Sequence, residues 1–294
     1  MRLFLQGLLI PVFLIMTGLA AHGESDLRVE SFPKVVKQGD VCFARASGPA
    51  FLKSIHGQFQ GERFSMAFNN GTGTYEGLIG IDMSTSPETY EIKAIATDGD
   101  NRVYSSTLSL RVEKVNFGTQ RLSLPPSVVD LDAKTLERVN RETRKLEALF
   151  QTSRNERLWK SVFIRPVEGE ISTGFGLTRI INGRRRSQHT GVDLRAEEGT
   201  SVLASNHGMV VLVDELFFSG KSVILDHGWG LYSMYFHLSE ALAGEGDRVR
   251  KGTVLGRVGS TGRSTGPHLL WAVRMNGARV EPLSLLLITE NLRK

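Results

Sequence analysis

The chain is poor in cysteine: Cys42 is the single one among 294 residues. No internal disulfide can therefore form, which excludes the class of small scaffolds held together by disulfide bridges. A protein without bridges must be held by its hydrophobic cores, which suits larger domains. Cys42 lies in the alternating stretch "VCFARA", which predicts a strand, and we expect its thiol to be buried and unreactive.

The apolar N-terminal run, "MRLFLQGLLIPVFLIMTGLAAHGESD", is not followed by a cysteine, so we do not expect a lipoprotein anchor. It begins with a cation at Arg2 and ends in small residues, including Ala21 and Gly23, in the layout of a secretory signal peptide. We predict a signal peptide over residues 1–23, cleaved after Gly23. The alternative is an uncleaved membrane anchor, because the run approaches the roughly 18 residues that suffice to span a bilayer. Both predict an exported protein of the periplasm or cell envelope.

The composition is that of a globular protein, with 40% hydrophobic residues, 23% charged residues and 31 glycines. Disordered and fibrous classes are excluded, and the excess of glycine favours turn-rich β structure. The formal charge of +5 and the pI near 9.4 suit an anionic partner. That partner could be nucleic acid, lipid headgroups or an acidic cell-wall polymer, and a basic solvated surface is the alternative.

Three regions follow the N-terminal run. Short alternating segments such as "RFSMAF" and "TYEIKAIA", separated by turn clusters, predict a β-sandwich accessory domain of immunoglobulin-like type over residues 24–115. Residues 116–160 are predicted to be a helical linker, since apolar residues recur there at helical spacing. Residues 161–290 are glycine-rich and β-like again, and Asn276 and Gly277 are the pair favoured by a type I′ turn in a final hairpin. The predicted fold class is mainly β.

The residues with chemical potential collect in the C-terminal region. The stretch "SQHTGVDL" carries His189 and Asp193 four residues apart, a spacing that puts both side chains on one face of an extended segment. Imidazole with carboxylate suits zinc, although the pair alone is a weak signal and favours a polar loop. Further histidines are His237 in "YFHL" and His268 in "STGPHL". The loop "GSTGRSTGP" lacks the GK[ST] ending of a phosphate-binding loop, so we expect a tight β connection there.

These stretches, in this order, resemble the lysostaphin and LytM family of zinc metallopeptidases, which cut the peptide part of peptidoglycan. The resemblance runs over about 125 residues, from "FIRPVEGEISTGFG" through "HTGVDLRAEEGTSVLA", "GKSVILDHGWGLYSMYFHL" and "GDRVRKGTVLGRVGSTGRSTGPHL" to "NGARVEPLSLL". It implies an antiparallel β peptidase domain, with His189 and Asp193 as zinc ligands and His237 and His268 as catalytic residues. The implied partners are peptidoglycan peptides, with envelope proteins as further partners and no nucleic acid.

One position departs from the family pattern. The family closes its site with His-x-His, in which the first histidine matches His268 and the second is the third zinc ligand. That second position is Leu270 in this chain. A leucine has no lone pair, whereas a catalytic zinc site needs three protein ligands and an open position for water.

Three functions therefore stay open at this point. The first is a zinc endopeptidase that hydrolyses cell-wall peptide amide bonds, provided that the metal is retained. The second is a catalytically inactive member that binds the wall or regulates hydrolases. The third, from an unrelated class, is a basic exported adhesin or scaffold that uses its sandwich domain.

Overall fold

The structure, a computed structural model, describes residues 27–49, 52–125, 129–152 and 154–292. The predicted signal peptide, residues 1–23, lies outside the described residues. Most of the described elements are strands, so the expectation of a mainly β fold is confirmed. Within the described ranges, neither helix combines the length and the apolar character that a membrane span requires.

The N-terminal region is built from two sheets that enclose one apolar core. The first sheet contains, in spatial order, β1 (Arg28–Phe32), β3 (Val41–Ser47), β7 (Thr74–Gly80) and β6 (Ala67–Asn69). The second contains β2 (Val35–Lys37), β9 (Val103–Glu113), β8 (Thr89–Asp98), β4 (Leu52–Phe59) and β5 (Glu62–Ser65). Cys42 is fully buried between them, as expected, and burial raises the pKa of its thiol to about 12. The thiol is therefore protonated and unreactive at neutral pH.

The segment between the two β regions is only partly helical. Helix α1 spans Ala133–Gln151, and the Asp132 side chain caps it by accepting a hydrogen bond from the Thr135 N–H at 2.7 Å. Before the helix lies a strand, β10 (Thr119–Leu122), within the segment that we predicted to be a helical linker. A short strand that pairs with a distant segment carries no helical or alternating pattern of its own, so local spacing does not reveal it.

The C-terminal region is dominated by one large sheet. Its strands are β11 (Ile171–Thr173), β14 (Gly191–Leu194), β15 (Ser201–Leu203), β16 (Gly208–Leu216), β17 (Gly220–Asp226), β18 (Leu231–Ala241), β19 (Arg248–Val249), β20 (Val254–Val258), β21 (Leu269–Met275) and β22 (Ala278–Val280). The order along the main path is β11-β14-β21-β18-β17-β16-β19. Helix α2 (Pro282–Asn291) follows the β21–β22 hairpin, in which Asn276 and Gly277 both have the positive φ of a type I′ turn.

A small three-stranded sheet lies beside the large one. Strand β12 (Thr178–Ile181) is central in it, with β10 parallel on one side and β13 (Arg184–Gln188) antiparallel on the other. This sheet ties the linker strand to the segment that leads into His189.

The N-terminal and C-terminal regions share part of one core. Val41, Phe43 and Leu78 of the first sheet belong to the same buried cluster as residues of β14, β18 and β21. An ion pair closes the contact: the Arg279 guanidinium donates to both carboxylate oxygens of Asp82, at 2.7 and 3.0 Å. Paired, two-bond geometry of this kind holds an orientation as well as a contact.

A buried hydrogen-bond network lies inside the large sheet. His227 is fully buried; its Nδ1 donates to the His207 carbonyl at 2.7 Å and its Nε2 lies 2.7 Å from the Ser233 hydroxyl. Ser233 continues the chain to the Tyr235 hydroxyl at 2.8 Å, which contacts Ser205. Burial lowers the pKa of His227 from 6.5 to about 4. The network therefore requires a neutral imidazole.

We expect acid to weaken the fold through His227. Its folded-state pKa lies below the unfolded value, so the stability it contributes is present above pH 6.5 and is lost as the pH falls toward 4. His227→Gln should lower the free energy of unfolding at pH 7, and the gap to the unaltered chain should narrow by about 2 kcal/mol on going to pH 5. Urea unfolding at several pH values measures this. The pKa of His207 is also lowered, but its ring is less buried, so His207→Gln should show a smaller narrowing. A gap that stays constant with pH in His227→Gln would contradict the assignment.

Candidate functional site

The site is organised by the antiparallel pairing of β14 with β21. In this register Asp193 lies directly opposite Leu270, and Gly191 lies opposite Ala272. Because side chains alternate along a strand, Val192 and Leu194 point into the main core, where both are fully buried. Asp193 and Leu270 therefore share the other face of the sheet.

His189 and Asp193 meet on that face, as their spacing predicts. His189 Nε2 lies 3.1 Å from Asp193 Oδ1, and both side chains are buried. Neither of these two atoms has a hydrogen-bond partner among the described residues. Buried polar atoms are nearly always satisfied, so an unpartnered nitrogen and an unpartnered oxygen at this separation are what two ligands of one metal ion present.

The other two histidines lie beside this pair. His268 Nε2 is 3.6 Å from the same Asp193 oxygen, and the rings of His237 and His268 are 4.8 Å apart. Each donates its Nδ1 proton to a backbone carbonyl at 2.8 Å, His237 to Thr261 and His268 to Gly266. This orientation leaves Nε2 of each ring facing the site. His237 also adopts the left-handed backbone conformation, with φ of 62°.

Electrostatics keep these groups in the charge states that a metal site would use. Burial lowers the pKa of His189, and it lowers the pKa of His237 to about 4. Burial alone would raise the pKa of Asp193, but the neighbouring His189, His268 and Arg179 groups outweigh it and hold that pKa below its usual value. Near pH 7 both imidazoles are thus neutral and the carboxylate is ionised.

Leu270 is the departure from a complete site. Its side chain is half-buried and packs against an apolar cluster that includes Phe236, its partner in register, and Ala272. It offers no donor atom toward His189 and Asp193. Among the described residues, no group of three or more His, Cys, Asp or Glu side chains is arranged to hold a metal ion. The residues present therefore match two of the three protein ligands of a catalytic zinc and do not fit a complete site.

The sequence analysis missed Arg179, which lies against Asp193. Its Nη2 is 3.4 Å from Asp193 Oδ2, and its Nε donates to the Gln120 side-chain oxygen at 3.2 Å. Gln120 belongs to β10, so the linker strand is connected to the candidate ligand through one guanidinium. Local sequence offers no signal for this, because the contact depends on the parallel pairing of β10 with β12.

The linker covers the sheet face that continues from Leu270. Helix α1 lies over the cluster of Leu212, Ile224, Tyr232, Met234, Phe236 and Ala272, and contributes Leu146, Leu149 and Phe150 to it. The Tyr232 hydroxyl donates to the Thr152 carbonyl at 2.9 Å, and Lys145 pairs with Asp214 at 2.7 Å. The groove that an open peptidase-like sheet would present is therefore covered along this part in the described structure.

Beside Asp193 a cavity of about 80 Å³ stays open under the linker strand. Gln120, Leu122 and Leu124 of the linker form one wall. Asp193, His237, His268, Arg179 and Arg263 line the rest, with Thr173, Ile181, Ser264 and Thr265. Arg263 belongs to the loop "GSTGRSTGP" that the sequence analysis set aside as a β connection.

Two further polar residues near these motifs lie outside the site. Tyr235 is fully buried in the network with Ser205 and Ser233. Arg184, the first of the three arginines before His189, is exposed on β13.

Comparisons with known proteins agree with the fold and the order of these motifs. Residues 187–282 match the model of peptidase family M23. DD-carboxypeptidase/endopeptidase Mpg of Neisseria meningitidis is 45% identical over 104 residues, which are 35% of this chain and 24% of that protein. The murein hydrolase activator EnvC of Escherichia coli is 29% identical over 206 residues, 60% of this chain and 48% of that one. The chain thus spans less than half the length of either relative.

A solved structure extends the similarity beyond the C-terminal region. A putative peptidase M23 from Pseudomonas aeruginosa matches with a TM-score of 0.65 and 27% identity, over 85% of this chain and 93% of that one. The N-terminal β region and the C-terminal sheet therefore occur together in that protein as well. The family model, the motif order and this fold agree that residues 187–282 form a peptidase family M23 domain.

Proposed function

We propose that this protein is exported to the cell envelope, where it binds peptidoglycan peptides without hydrolysing them, as a wall-binding or hydrolase-regulating member of its family. The observation that carries the proposal is Leu270, opposite Asp193, at the position where the family resemblance requires a third zinc ligand. Loss of a partner that merely orients a ligand typically lowers metal affinity about 10- to 100-fold, so loss of a direct ligand should lower it further.

Several features support the partner and the place of action. Peptidoglycan peptides are the substrate class that the family resemblance implies, and the similarity to a murein hydrolase activator supports a regulatory form of the proposal. Export is supported by the signal-peptide layout of residues 1–23. The net charge of +5 suits a polymer that carries carboxylates.

A zinc endopeptidase is the second candidate, and one observation favours it. His189 Nε2 and Asp193 Oδ1 are buried, 3.1 Å apart and without hydrogen-bond partners among the described residues. The neutral imidazole of His237 and the ring of His268 lie beside them. Such a donor pair is the retained part of a metal site. The two candidates differ in one measurable property, the affinity for zinc.

We expect the purified mature chain to contain well under one zinc ion per molecule and to release no soluble peptides from peptidoglycan. Leu270→His supplies the missing imidazole nitrogen beside Asp193 and should tighten zinc binding by at least about 100-fold. Metal analysis by mass spectrometry after dialysis, with competition titration against a chelator, measures both quantities.

Two variants control this comparison. Leu270→Ala removes the leucine without adding a ligand and should leave zinc binding weak. His189→Ala in the Leu270→His background should abolish the gain in zinc affinity, because it removes one of the two ligands already present. One equivalent of tightly bound zinc in the unaltered chain, together with peptide release, would overturn the non-catalytic proposal in favour of the endopeptidase.

We also expect the mature chain to sediment with purified sacculi, and to do so more strongly when the linker cover is loosened. Phe150→Ser removes an aromatic contact with Tyr232, whose ring centroid is 5.3 Å away, and should raise the bound fraction several-fold because more of the groove becomes accessible. Leu136→Ser is the matched control on the same helix, since Leu136 is 48% exposed. No sedimentation by any of the three chains would count against every wall-directed function and favour the scaffold class.

A further inference from the structure

The cavity beside Asp193 carries an unbalanced positive charge. Among its lining residues, two arginines, Arg179 and Arg263, face one carboxylate, Asp193. The imidazole of His237 is neutral near pH 7 and adds no charge. One guanidinium is therefore left without a counter-ion among the residues that line the cavity.

Arg179 is the guanidinium that is already paired. It lies 3.4 Å from Asp193 Oδ2 and donates to the Gln120 oxygen, so its charge and part of its hydrogen-bonding capacity are used within the protein. It also holds Asp193 from the side opposite to His189. The positive charge of Arg179 and the negative charge of Asp193 therefore cancel on this side of the cavity.

Arg263 is the guanidinium left over. Its Cζ lies 4.2 Å from the centroid of the Phe218 ring, and its backbone N–H donates to the Phe218 carbonyl at 2.8 Å, so the side chain is held in place. No described residue accepts a hydrogen bond from its guanidinium. The guanidinium is half-buried, so its five donors are open to water or to an anion that enters the cavity. Burial and the charge of Arg179 both lower the pKa of Arg263, which reflects the same shortage of negative charge.

The size and shape of the cavity restrict the anion. A volume of about 80 Å³ admits a group of a few heavy atoms and excludes a whole large residue. The guanidinium of arginine presents parallel N–H groups that match the two oxygens of a carboxylate. Stacking on an aromatic ring holds the plane of the guanidinium in one orientation. We propose that this cavity binds the C-terminal carboxylate of a peptide, with Arg263 as its anchor. The proposal rests on the proposed function, since it names the part of a wall peptide that this domain recognises.

The test compares two ligands that differ only in charge at one end. An N-acetylated alanine dipeptide with a free C-terminal carboxylate, and the same dipeptide as its C-terminal amide, are titrated into the mature chain at low ionic strength by calorimetry or NMR. The acid should bind at least about tenfold more tightly than the amide, because a hydrogen-bonded charge pair is replaced by a neutral group. Equal affinity for the two forms would overturn the proposal.

Substitutions locate the effect. Arg263→Gln should remove the preference for the acid, and Arg263→Lys should keep a small part of it, because lysine retains the charge and loses the paired geometry. Arg257→Gln is the matched control, since Arg257 is exposed and contacts Gly199 away from the cavity. Thermal unfolding checks that each variant is folded. If a folded Arg263→Gln chain kept the full preference for the acid over the amide, the assignment of Arg263 as the anchor would be wrong.

Two further arms separate this inference from the function on which it rests. Inorganic phosphate that competes as well as the dipeptide acid would show a general anion site and overturn the peptide part of the proposal. If Arg263→Gln sediments with sacculi as the unaltered chain does, and acid and amide bind equally, the carboxylate site is overturned. The proposed function is then unaffected. Preference for the acid without any binding to sacculi would retain the carboxylate site and remove the wall-directed function.

Discussion

The antiparallel register of β14 on β21 is the constraint on which the rest of the site depends. It puts Asp193 opposite Leu270 and turns both toward the face that α1 and β10 cover, while the alternate residues Val192 and Leu194 are buried in the main core. A shift by one residue would exchange these faces and bury the carboxylate in apolar surroundings. The burial of Val192 and Leu194 therefore fixes the position of Asp193, and with it the contacts of Asp193 with His189, His268 and Arg179.

Much of the site could be predicted from sequence because its members lie in short segments with recognisable order. His189, Asp193, His237 and His268 come together as the resemblance implies, and the final hairpin follows from Asn276 and Gly277. The immunoglobulin-like type of the N-terminal region, the domain boundaries and the roles of the four residues stay predictions. What local sequence could not reveal is the contribution of the linker. Gln120 reaches Arg179 because β10 pairs with β12, a contact between segments about 60 residues apart that has no local periodicity.

The linker is held in place by the same architecture that joins the two β regions. The first N-terminal sheet shares buried residues with the C-terminal core, and the Asp82–Arg279 pair locks its edge to the β21–β22 hairpin. From β9 of the second N-terminal sheet the chain continues into β10 of the small sheet beside the site, and α1 then lies over the apolar face. An amphipathic helix of this kind is stable chiefly because its apolar side is buried. The Lys145–Asp214 ion pair and the hydrogen bond from Arg138 to the Glu215 backbone carbonyl, at its rim, add orientation more than free energy.

Leu270 and the two arginines can be understood together. A bound metal ion would bring positive charge to Asp193 and would be held in part by a donor at position 270. In this chain position 270 is apolar and packs with the covered face, while Arg179 supplies a positive charge to Asp193 directly. The carboxylate is therefore balanced by the protein itself, which removes much of the electrostatic requirement for a metal at that point. Because Arg179 balances Asp193, Arg263 has no carboxylate counter-ion among the residues that line the cavity.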